Sequence, residues 1–454
     1  MISFDFPQSQ LDNKLAVPHY EVKNILDNLN QEFDTVSIGD CAKVASGSYV
    51  PEYVSDGVPY IRVNSIREFQ FNLNEEDTEY VDPKHPDLTD RVFIEEEDVV
   101  IPRTGSLGNA AIATHDTVGT VMSQHVTRIT FEDIDPYYAT VFLNTDFGKE
   151  QMLHSGHGST RKELTHKSLK RIEIPIIEEE IQTISDLIKK AKQAEYQGNK
   201  KIQEALNLFR QGIGIDIDSL PDNDIYSIGE SAIRKEKYNS FIPKHYKPKY
   251  QKCISQIESN FECITLDEVA EIERGRGTTV DEYSTEGIPF IRTSDLINWE
   301  IDPYPDHYAT LDTYQQFDQE SKQYDILYSI EGKVGQSAIL LEAEKCVFKN
   351  HIERIRVIID SLDPVFVFLF LNTEFGEYQV NTKEVVQTTI PGIAGRIREV
   401  IVPIRPKDSD DFNELIYEAI KTAKEGLRLK KKKKTNLAEA KDKIGQVLGS
   451  KIEQ

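Results

Sequence analysis

The feature that most constrains this chain is a stretch that it contains twice. Residues 57–66 read Gly-Val-Pro-Tyr-Ile-Arg-Val-Asn-Ser-Ile, and residues 287–296 read Gly-Ile-Pro-Phe-Ile-Arg-Thr-Ser-Asp-Leu. Further pairs follow in the same order at offsets between 226 and 230 residues: 38–47 with 266–275, 105–108 with 332–335, 125–129 with 351–355, and 142–148 with 370–376. One ancestral unit has therefore been duplicated, and we expect the chain to contact its target twice.

Length and composition are typical of a globular protein. A chain of 454 residues, 39% hydrophobic and 29% charged, is long enough for two or three domains, and the duplication favours two. No run approaches the ~20 apolar residues of a membrane helix, and the first residues show no secretory signal. The cysteines form no Cys-x-x-Cys spacing, which indicates a reducing, cytoplasmic setting.

The formal net charge of −24 argues against a simple nucleic-acid binder. Proteins that neutralise phosphates normally show a basic domain. The objection is not decisive, because local patches act over a Debye length of ~10 Å and a partner can supply positive surface.

Each half of the chain divides into a mixed domain and a long helix. In residues 1–176, a short helix is predicted within 1–34, and 35–176 consist of short β-like runs broken by Gly, Pro and Asn with one helix predicted over 136–153, which is typical of an α+β domain. Residues 177–212 contain no proline and repeat apolar residues at helical spacing, which predicts a helix of roughly 50 Å. A linker and second domain follow over 213–405, and a second long helix over 406–454.

The two long helices are expected to pack on each other. Each has a narrow apolar seam that needs a partner, and its sequence-related twin is the nearest candidate. Gly198 and Gly426 occupy corresponding positions, which indicates close helix approach or a shared kink. An antiparallel coiled coil would relate the domains by a pseudo-twofold axis, and a separation near ~50 Å exceeds one ~34 Å turn of duplex DNA, as in a reader of two half-sites.

At this point the chain resembles the specificity (S) subunit of type I restriction-modification enzymes. The resemblance rests on Pro-Tyr-Ile-Arg and Pro-Phe-Ile-Arg at 59–62 and 289–292, on Asp98-Val-Val-Ile and Asp325-Ile-Leu-Tyr before the Gly-x-x-Gly turns, and on Ile172-Glu-Ile-Pro-Ile before the first long helix. The family usually has Pro-Leu-Pro and a Glu-Gln pair at the helix start. Here the second helix starts with Arg405-Pro-Lys-Asp, which departs from that pattern.

The resemblance implies a DNA specificity subunit that performs no chemistry itself. Two target-recognition domains, at 1–176 and 213–405, would read a bipartite site in double-stranded DNA. Helices 177–212 and 406–454 would pair as an antiparallel coiled coil and fix the unread spacer. Two modification (methyltransferase) subunits with S-adenosylmethionine would dock on the helices, and restriction (translocase and nuclease) subunits would bring Mg and ATP. No cofactor is implied in this chain, and no membrane partner.

Candidate DNA contacts are donors and acceptors on loops, since Arg reads guanine, Asn and Gln read adenine, and Ser and Thr read either. In the first domain they are Arg62, Asn64, Arg103, Thr104, Ser106, Asn109, Ser159, Thr160, Arg161 and Lys162. In the second domain they are Arg292, Thr293, Ser294, Lys333, Gln336 and Arg396. Structural alternatives stay open: the glycines turn a hairpin, the loop before the last strand is solvated, and Arg62 and Arg292 form ion pairs.

The long helices carry the candidate partner-binding residues. These are Ile181, Ile184, Ile188, Phe412, Ile416 and Ala419. The second helix also contains a run of five lysines, Lys430 to Lys434. Such a run is either a solvated face or a contact for phosphate or a partner protein.

The sequence leaves two other classes of function open, a nuclease and an acidic protein-binding scaffold. Asp306 with Glu320 and Lys322 fits the loose pattern of a Mg-dependent nuclease, although the first copy has nothing aligned with it. An acidic scaffold or DNA mimic that binds only proteins would explain the net charge. His154, His157 and His166 lack cysteine or carboxylate neighbours at zinc spacing, so no metal site is predicted.

Overall fold

The structure is a computed structural model. It describes residues 26–73, 78–105, 107–156, 162–222, 225–230, 233, 242–277, 283–284, 286–387, 390–393, 395–406 and 411–452. Within these ranges the side chains of residues 386, 387, 390, 406, 411–413, 451 and 452 lie outside the description. The chain forms two compact units, the first from residues 1–194 and 432–454 and the second from residues 195–431.

The first unit combines short strands and short helices with parts of both long helices. Its strands are Thr35–Ser37, Ala42–Ser46, Val58–Ile61, Glu79–Val81, Val99–Pro102, Ala111–Ile112, Val121–Met122, Val126–Phe131 and Glu173–Pro175. Its short helices are Ile38–Cys41, Pro136–Leu143, Asp146–Ser155 and His166–Leu169, with 3-10 turns at Val63–Ser65 and Asp90–Val92. The first long helix is Glu178–Ile213 and the second long helix is Asp411–Ile452.

The second unit repeats this inventory with additions. Its strands are Phe261–Thr265, Ala270–Arg274, Ile288–Ile291, Leu296–Ile297, Glu300–Ile301, Tyr308–Ala309, Ile326–Ser329, Ser337–Ile339, Val347–Phe348, Ile352–Val357, Val385–Gln387, Ile390–Gly392 and Ile401–Pro406. Its short helices are Pro248–Asn260, Leu266–Val269, Leu311–Phe317, Pro364–Leu371 and Glu374–Asn381, with 3-10 turns at Pro243–Tyr246, Thr293–Asp295 and Arg396–Glu399.

Strand order is the same in both units. A four-stranded antiparallel sheet has the order 42–46, 126–131, 99–102, 111–112 in the first unit and 270–274, 352–357, 326–329, 337–339 in the second. A three-stranded sheet has the order 79–81, 58–61, 121–122 in the first and 308–309, 288–291, 347–348 in the second. The predicted α+β class and the duplication are both confirmed.

The acidic residue that precedes the strand leading into each Gly-x-x-Gly turn is a buried aspartate. Asp98 accepts hydrogen bonds from the Glu95 backbone N–H at 2.8 Å, from Arg128 at 3.0 Å and from Thr130 at 2.5 Å. Asp325 accepts two from Arg356, at 2.7 and 2.8 Å. Because a buried carboxylate needs such partners, each aspartate fixes its strand against the neighbouring one.

The repeated Phe-Leu-Asn-Thr-Asp/Glu-Phe-Gly sequence marks a junction between two helices. The single helix predicted over 136–153 is wrong, because Thr145 caps a new helix by accepting from the Gly148 N–H at 3.3 Å. A Cβ at Gly148 would lie 2.3 Å from the Phe142 carbonyl oxygen, and one at Gly376 would lie 2.5 Å from that of Phe370. Only glycine allows the two helices to meet so closely.

The two long helices pack against each other, as predicted. A Cβ at Gly198 would lie 3.0 Å from the Gly426 carbonyl oxygen, and one at Gly426 would lie 2.9 Å from that of Gly198. Further along, Gly212 lies against Ile416, so in the second unit the two segments run antiparallel. The predicted close approach is confirmed, since the pair of glycines removes the side chains that would separate the helices.

The four cysteines lie in the hydrophobic core or pack against it. Cys41, Cys253 and Cys346 are buried and Cys263 is half-buried, all with free thiols. Burial raises the pKa of Cys41 to about 11 and that of Cys253 to about 12, so both stay protonated and unreactive near neutral pH. Among the described residues, no helix has the length and apolar character needed to cross a membrane.

Candidate nucleic-acid interface

In the first unit, packing brings the predicted loops together at one end of the four-stranded sheet. The Leu164 N–H donates to the Arg103 carbonyl at 2.8 Å, and Thr104 forms a β-bridge with Glu163. The Ser123 N–H donates to the Ile61 carbonyl at 2.9 Å, which places the end of the 58–61 strand alongside. We call this surface the first loop face and define it as residues 46–48, 62–65, 103–105, 107–109, 123–125 and 162–166.

The second unit forms the corresponding surface by the same contacts. The Gly332 N–H donates to the Pro391 carbonyl at 2.9 Å, and the Ile393 N–H donates to the Ile330 carbonyl at 3.0 Å. The Lys349 N–H donates to the Ile291 carbonyl at 2.9 Å. We call this surface the second loop face and define it as residues 274–277, 292–295, 330–336, 349–351, 391–393, 395 and 396.

Both loop faces are built on the same glycine turn. Gly105 and Gly332 have φ of 77° and 78°, and Gly108 and Gly335 have φ of 106° and 108°. These are left-handed backbone conformations that favour glycine. The glycines therefore do turn a hairpin, and in the second unit Lys333 lies at its tip.

On the first loop face, the predicted contact residues differ in how available they are. Arg62, Asn64 and Lys162 are exposed, with the Arg62 guanidinium 3.5 Å from the Glu79 carboxylate. Thr104 is buried, and the half-buried Asn109 donates to the Ile66 carbonyl at 3.5 Å. Ser106, Ser159, Thr160 and Arg161 lie outside the described residues.

Arg103 is held in place from three sides. Its guanidinium donates to Glu163 at 2.7 Å, to the Ser46 hydroxyl at 3.0 Å and to the Leu164 carbonyl at 3.3 Å. The Ser46 hydroxyl also lies 2.6 Å from Nε2 of His166. Burial, with Arg103 and Lys170 nearby, lowers the pKa of His166, which keeps its imidazole neutral beside the guanidinium.

On the second loop face, several predicted contact residues have acidic partners. Arg292 donates to Asp306 at 2.7 Å and to Asp295 at 3.3 Å, and Arg396 donates to Glu399 at 3.2 Å. The remaining predicted residues fall into three groups by exposure: Lys333 exposed, Thr293 and Ser294 half-buried, and Gln336 buried. Arg292 therefore forms the ion pair that the sequence left open as the alternative to a DNA contact.

Sequence reasoning missed two arginines on the second loop face. Arg274 and Arg276 are exposed and line a groove of about 680 Å³ together with Gly275, Gln316 and Phe317. Arg274 forms an ion pair with Glu331, whose other oxygen lies 3.3 Å from His351. The Gly-Arg-Gly run at 275–277 could have indicated this site in the sequence, because a glycine on each side of Arg276 lets the backbone approach a ligand closely.

One buried carboxylate, Glu353, lies against Gly395 of the second loop face. Burial raises the pKa of Glu353, while Arg398, 3.2 Å from its carboxylate, acts in the opposite direction. The exposed arginines of the second loop face offer N–H donors for phosphates and guanine, and the half-buried Glu331 offers carboxylate oxygens for the cytosine amino group.

The nuclease pattern of Asp306, Glu320 and Lys322 belongs to no group of three or more metal ligands in the described part of the chain. No group of three His, Cys, Asp or Glu side chains in this part of the chain could hold a metal ion. Asp306, the first carboxylate of the nuclease pattern, is paired with Arg292. The geometry gives the nuclease hypothesis no support.

The predicted partner-binding residues of the long helices are largely used within the chain. Ile184, Ile188, Ile416 and Ala419 are buried and Ile181 is half-buried. The Phe412 side chain lies outside the described residues. Tyr417 is 65% exposed, so the second long helix does present an aromatic side chain outward.

Three solved structures are similar to the chain along most of its length. The type I restriction-modification S subunit from M. genitalium is 13% identical with a TM-score of 0.37, covering 92% of this chain and 96% of that one. A chain from a study of assembly and conformational transition of the type I R-M system is 15% identical, TM-score 0.30, covering 93% and 97%. The HsdS subunit from Thermoanaerobacter tengcongensis is 14% identical, TM-score 0.29, covering 93% and 96%.

No curated protein sequence matches the chain. The family model described as the type I restriction modification DNA specificity domain matches it twice, over residues 30–208 and 258–439. Each match contains one loop face and most of one long helix. Since the two matches cover well over half of the sequence, the chain belongs to the family of type I restriction modification DNA specificity domains.

Proposed function

We propose that the chain is the non-catalytic DNA specificity subunit of a type I restriction-modification complex. Its target-recognition domains, assigned to residues 1–176 and to the linker and domain at 213–405, each read one half of a bipartite site. The helices assigned to 177–212 and 406–454 fix the length of the unread spacer. The observation that carries the proposal is the duplicated domain, each copy with its own loop face, in a chain of this family.

The candidate DNA-contact residues differ in exposure, and this divides them into two groups. Arg62, Asn64 and Lys162 on the first loop face, and Lys333 with Arg276 on the second, are exposed and suited to touch phosphates or bases. The remaining predicted residues with described side chains are buried or half-buried, and they shape the loops or contact bases after the loops rearrange.

Partner subunits supply the chemistry in this proposal. Two modification subunits with S-adenosylmethionine dock on the outer faces of the long helices, and restriction subunits bring Mg and ATP. The whole complex acts in the cytoplasm on double-stranded DNA. Exposed side chains such as Tyr417 are better suited to this docking than the seam residues, because the seam is occupied within the chain.

The net charge of −24 fits this division of labour. Several arginines of the second loop face are paired with carboxylates, so the chain alone has little net attraction for phosphate. Modification subunits would then provide much of the phosphate contact, and tight binding to duplex DNA would require the assembled complex. An acidic protein-binding scaffold, by contrast, would leave DNA unbound in the complex as well.

Methylation mapping of host DNA tests the proposal directly. Single-molecule sequencing would compare cells that express the modification subunits with and without this chain. The proposal predicts a methylated bipartite motif that appears only with the chain. An unchanged methylation pattern, with the complex shown to assemble, would refute it.

A further inference from the structure

The two units contain the same unusual hairpin. In the first unit Ile66 forms a β-bridge with Phe71, and in the second Leu296 pairs with Ile301. The aromatic residue at each turn has a left-handed backbone, with φ of 65° at both Phe69 and Trp299. That conformation is uncommon for a bulky side chain, so the same strained turn is held in place in both copies.

A lysine of the second long helix contacts the residue after each aromatic. Gln70 and Glu300 correspond under the 230-residue offset. Lys433 donates to the Gln70 side-chain oxygen at 3.0 Å within the first unit, and Lys430 donates to the Glu300 carboxylate at 3.4 Å within the second. Both lysines belong to the five-lysine run, and they lie three residues apart.

These two lysines are buried, unlike their exposed neighbours in the run, Lys431 and Lys432. Lys433 is 1% exposed and Lys430 is 2% exposed, whereas Lys432 between them is exposed. An ammonium group is costly to bury unless an oxygen compensates for the lost water. The first hairpin also accepts a hydrogen bond from a second lysine of this helix: the half-buried Lys441 donates to the Glu68 carboxylate at 3.0 Å.

Each hairpin is continuous with its loop face. In the first unit Ile66 directly follows the 3-10 turn Val63–Ser65, and the Phe69 N–H donates to the Ala110 carbonyl at 2.9 Å, next to the glycine turn. In the second unit Leu296 directly follows the turn Thr293–Asp295. A hairpin fixed to the helix therefore fixes the base of the loop face.

We infer that Lys433 and Lys430 are positioning residues that lock the first and second hairpins, respectively, onto the second long helix. Each lysine thereby sets how one domain presents its loop face to DNA. The consequence for DNA recognition rests on the proposed function, whereas the locking of the hairpins does not.

Hydrogen exchange on the full chain tests the locking without DNA. The reporters are the amides of Asn72, bonded to the Ser65 carbonyl, and Asp302, bonded to the Asp295 carbonyl. Lys433→Met should speed exchange at Asn72 by about tenfold and leave Asp302 unchanged, and Lys430→Met should do the reverse. Lys432→Met is the matched control and should change neither. Equal acceleration at both amides, or none at either, would overturn the inference.

Spacer discrimination tests the consequence for DNA. Complexes with the modification subunits would be titrated with duplexes that carry the mapped site and spacers one base pair shorter or longer. Lys433→Met should lower the preference for the native spacer several-fold, whereas a merely structural loss would weaken binding to all duplexes alike. A complex that shows the predicted exchange pattern but binds no DNA even as wild type would refute the proposed function and leave the locking intact.

Discussion

At the scale of single residues, buried carboxylates paired with arginines hold each domain together. Asp98 and Asp325 are both fully buried, and each bonds to side chains on the adjacent strand of its sheet. Removing one member of a buried pair leaves the other charge without compensation, and this costs more than losing a surface ion pair.

Asp98→Ala should lower the free energy of unfolding of the first domain by about 3 kcal/mol, because the largely buried Arg128 loses this carboxylate and the Thr130 hydroxyl loses its acceptor. Urea unfolding measures the change. Glu95→Ala is the matched control, since the exposed Glu95 carboxylate lies 3.6 Å from the same arginine and contributes at most about 0.5 kcal/mol. Equal effects of the two substitutions would show that burial is not the decisive factor.

Lys333 carries a prediction about DNA. It is exposed at the glycine turn of the second loop face, where a phosphate contact would release one counterion. Lys333→Ala in the assembled complex should weaken DNA binding and reduce the slope of log affinity against log salt by about 1. Lys345→Ala, an exposed lysine outside both loop faces, should leave the slope unchanged. An unaltered slope for Lys333→Ala would exclude this residue as a phosphate contact.

His166 predicts a pH dependence of stability. Its pKa is lowered below 6.5 by burial and by Arg103 and Lys170, so the unfolded chain binds the proton more tightly. The stability contributed by the neutral imidazole is therefore present above pH 6.5 and is lost as the pH falls through the lowered pKa. The thermal midpoint of the wild type should fall more between pH 7.5 and about 5.5 than that of His166→Gln. His115→Gln, at an exposed position, should track the wild type.

The sequence predicted which loops carry polar groups, but not which groups are available. Arg292 and Lys333 are equally plausible DNA contacts in the sequence, yet Arg292 is paired with Asp306, 14 residues further along the chain. Gln336 and Arg396 were predicted to be accessible and are largely buried. Burial and pairing depend on contacts between distant segments, and local composition does not encode them.

At the scale of elements, the long helices were the most predictable part of the fold. Their apolar period and the paired glycines indicated both the helices and their close approach. The short elements were less predictable. The break after Leu143 depends on Asn144, whose side chain bonds to the backbone of Ala110, just before the strand Ala111–Ile112. The lysine run was also hard to predict, because two of its lysines are buried and bond to Gln70 and Glu300.

Two glycines of the second long helix give a matched test of helix packing. Gly445→Ala should stabilise the chain by about 1 kcal/mol, because open space surrounds this position and alanine is the better helix former. Gly426→Ala should instead destabilise it by about 1–3 kcal/mol, since its Cβ would lie 2.9 Å from the Gly198 carbonyl oxygen. Urea unfolding distinguishes the signs. Stabilisation by both substitutions would show that the helices do not approach at Gly198.

At the scale of the whole molecule, the duplication predicted the domain plan but not the strand order. Corresponding landmarks at nearly constant offset established two related domains, each with a long helix. The sheets pair segments that lie far apart in the chain, such as 58–61 with 121–122, and short apolar runs do not specify such pairings. The structure shows that the corresponding strands have the same order in the sheets of both units, which the sequence did not predict.

The central claim is that each domain independently reads one half of a DNA site. The most direct measurement replaces residues 35–176 with the corresponding segment of another family member, assembles the hybrid with its modification subunits and maps DNA methylation. The account predicts that one half of the methylated motif changes while the other half and the spacer length stay the same. Methylation that is unaffected by the exchange, or a change in both halves at once, would contradict it.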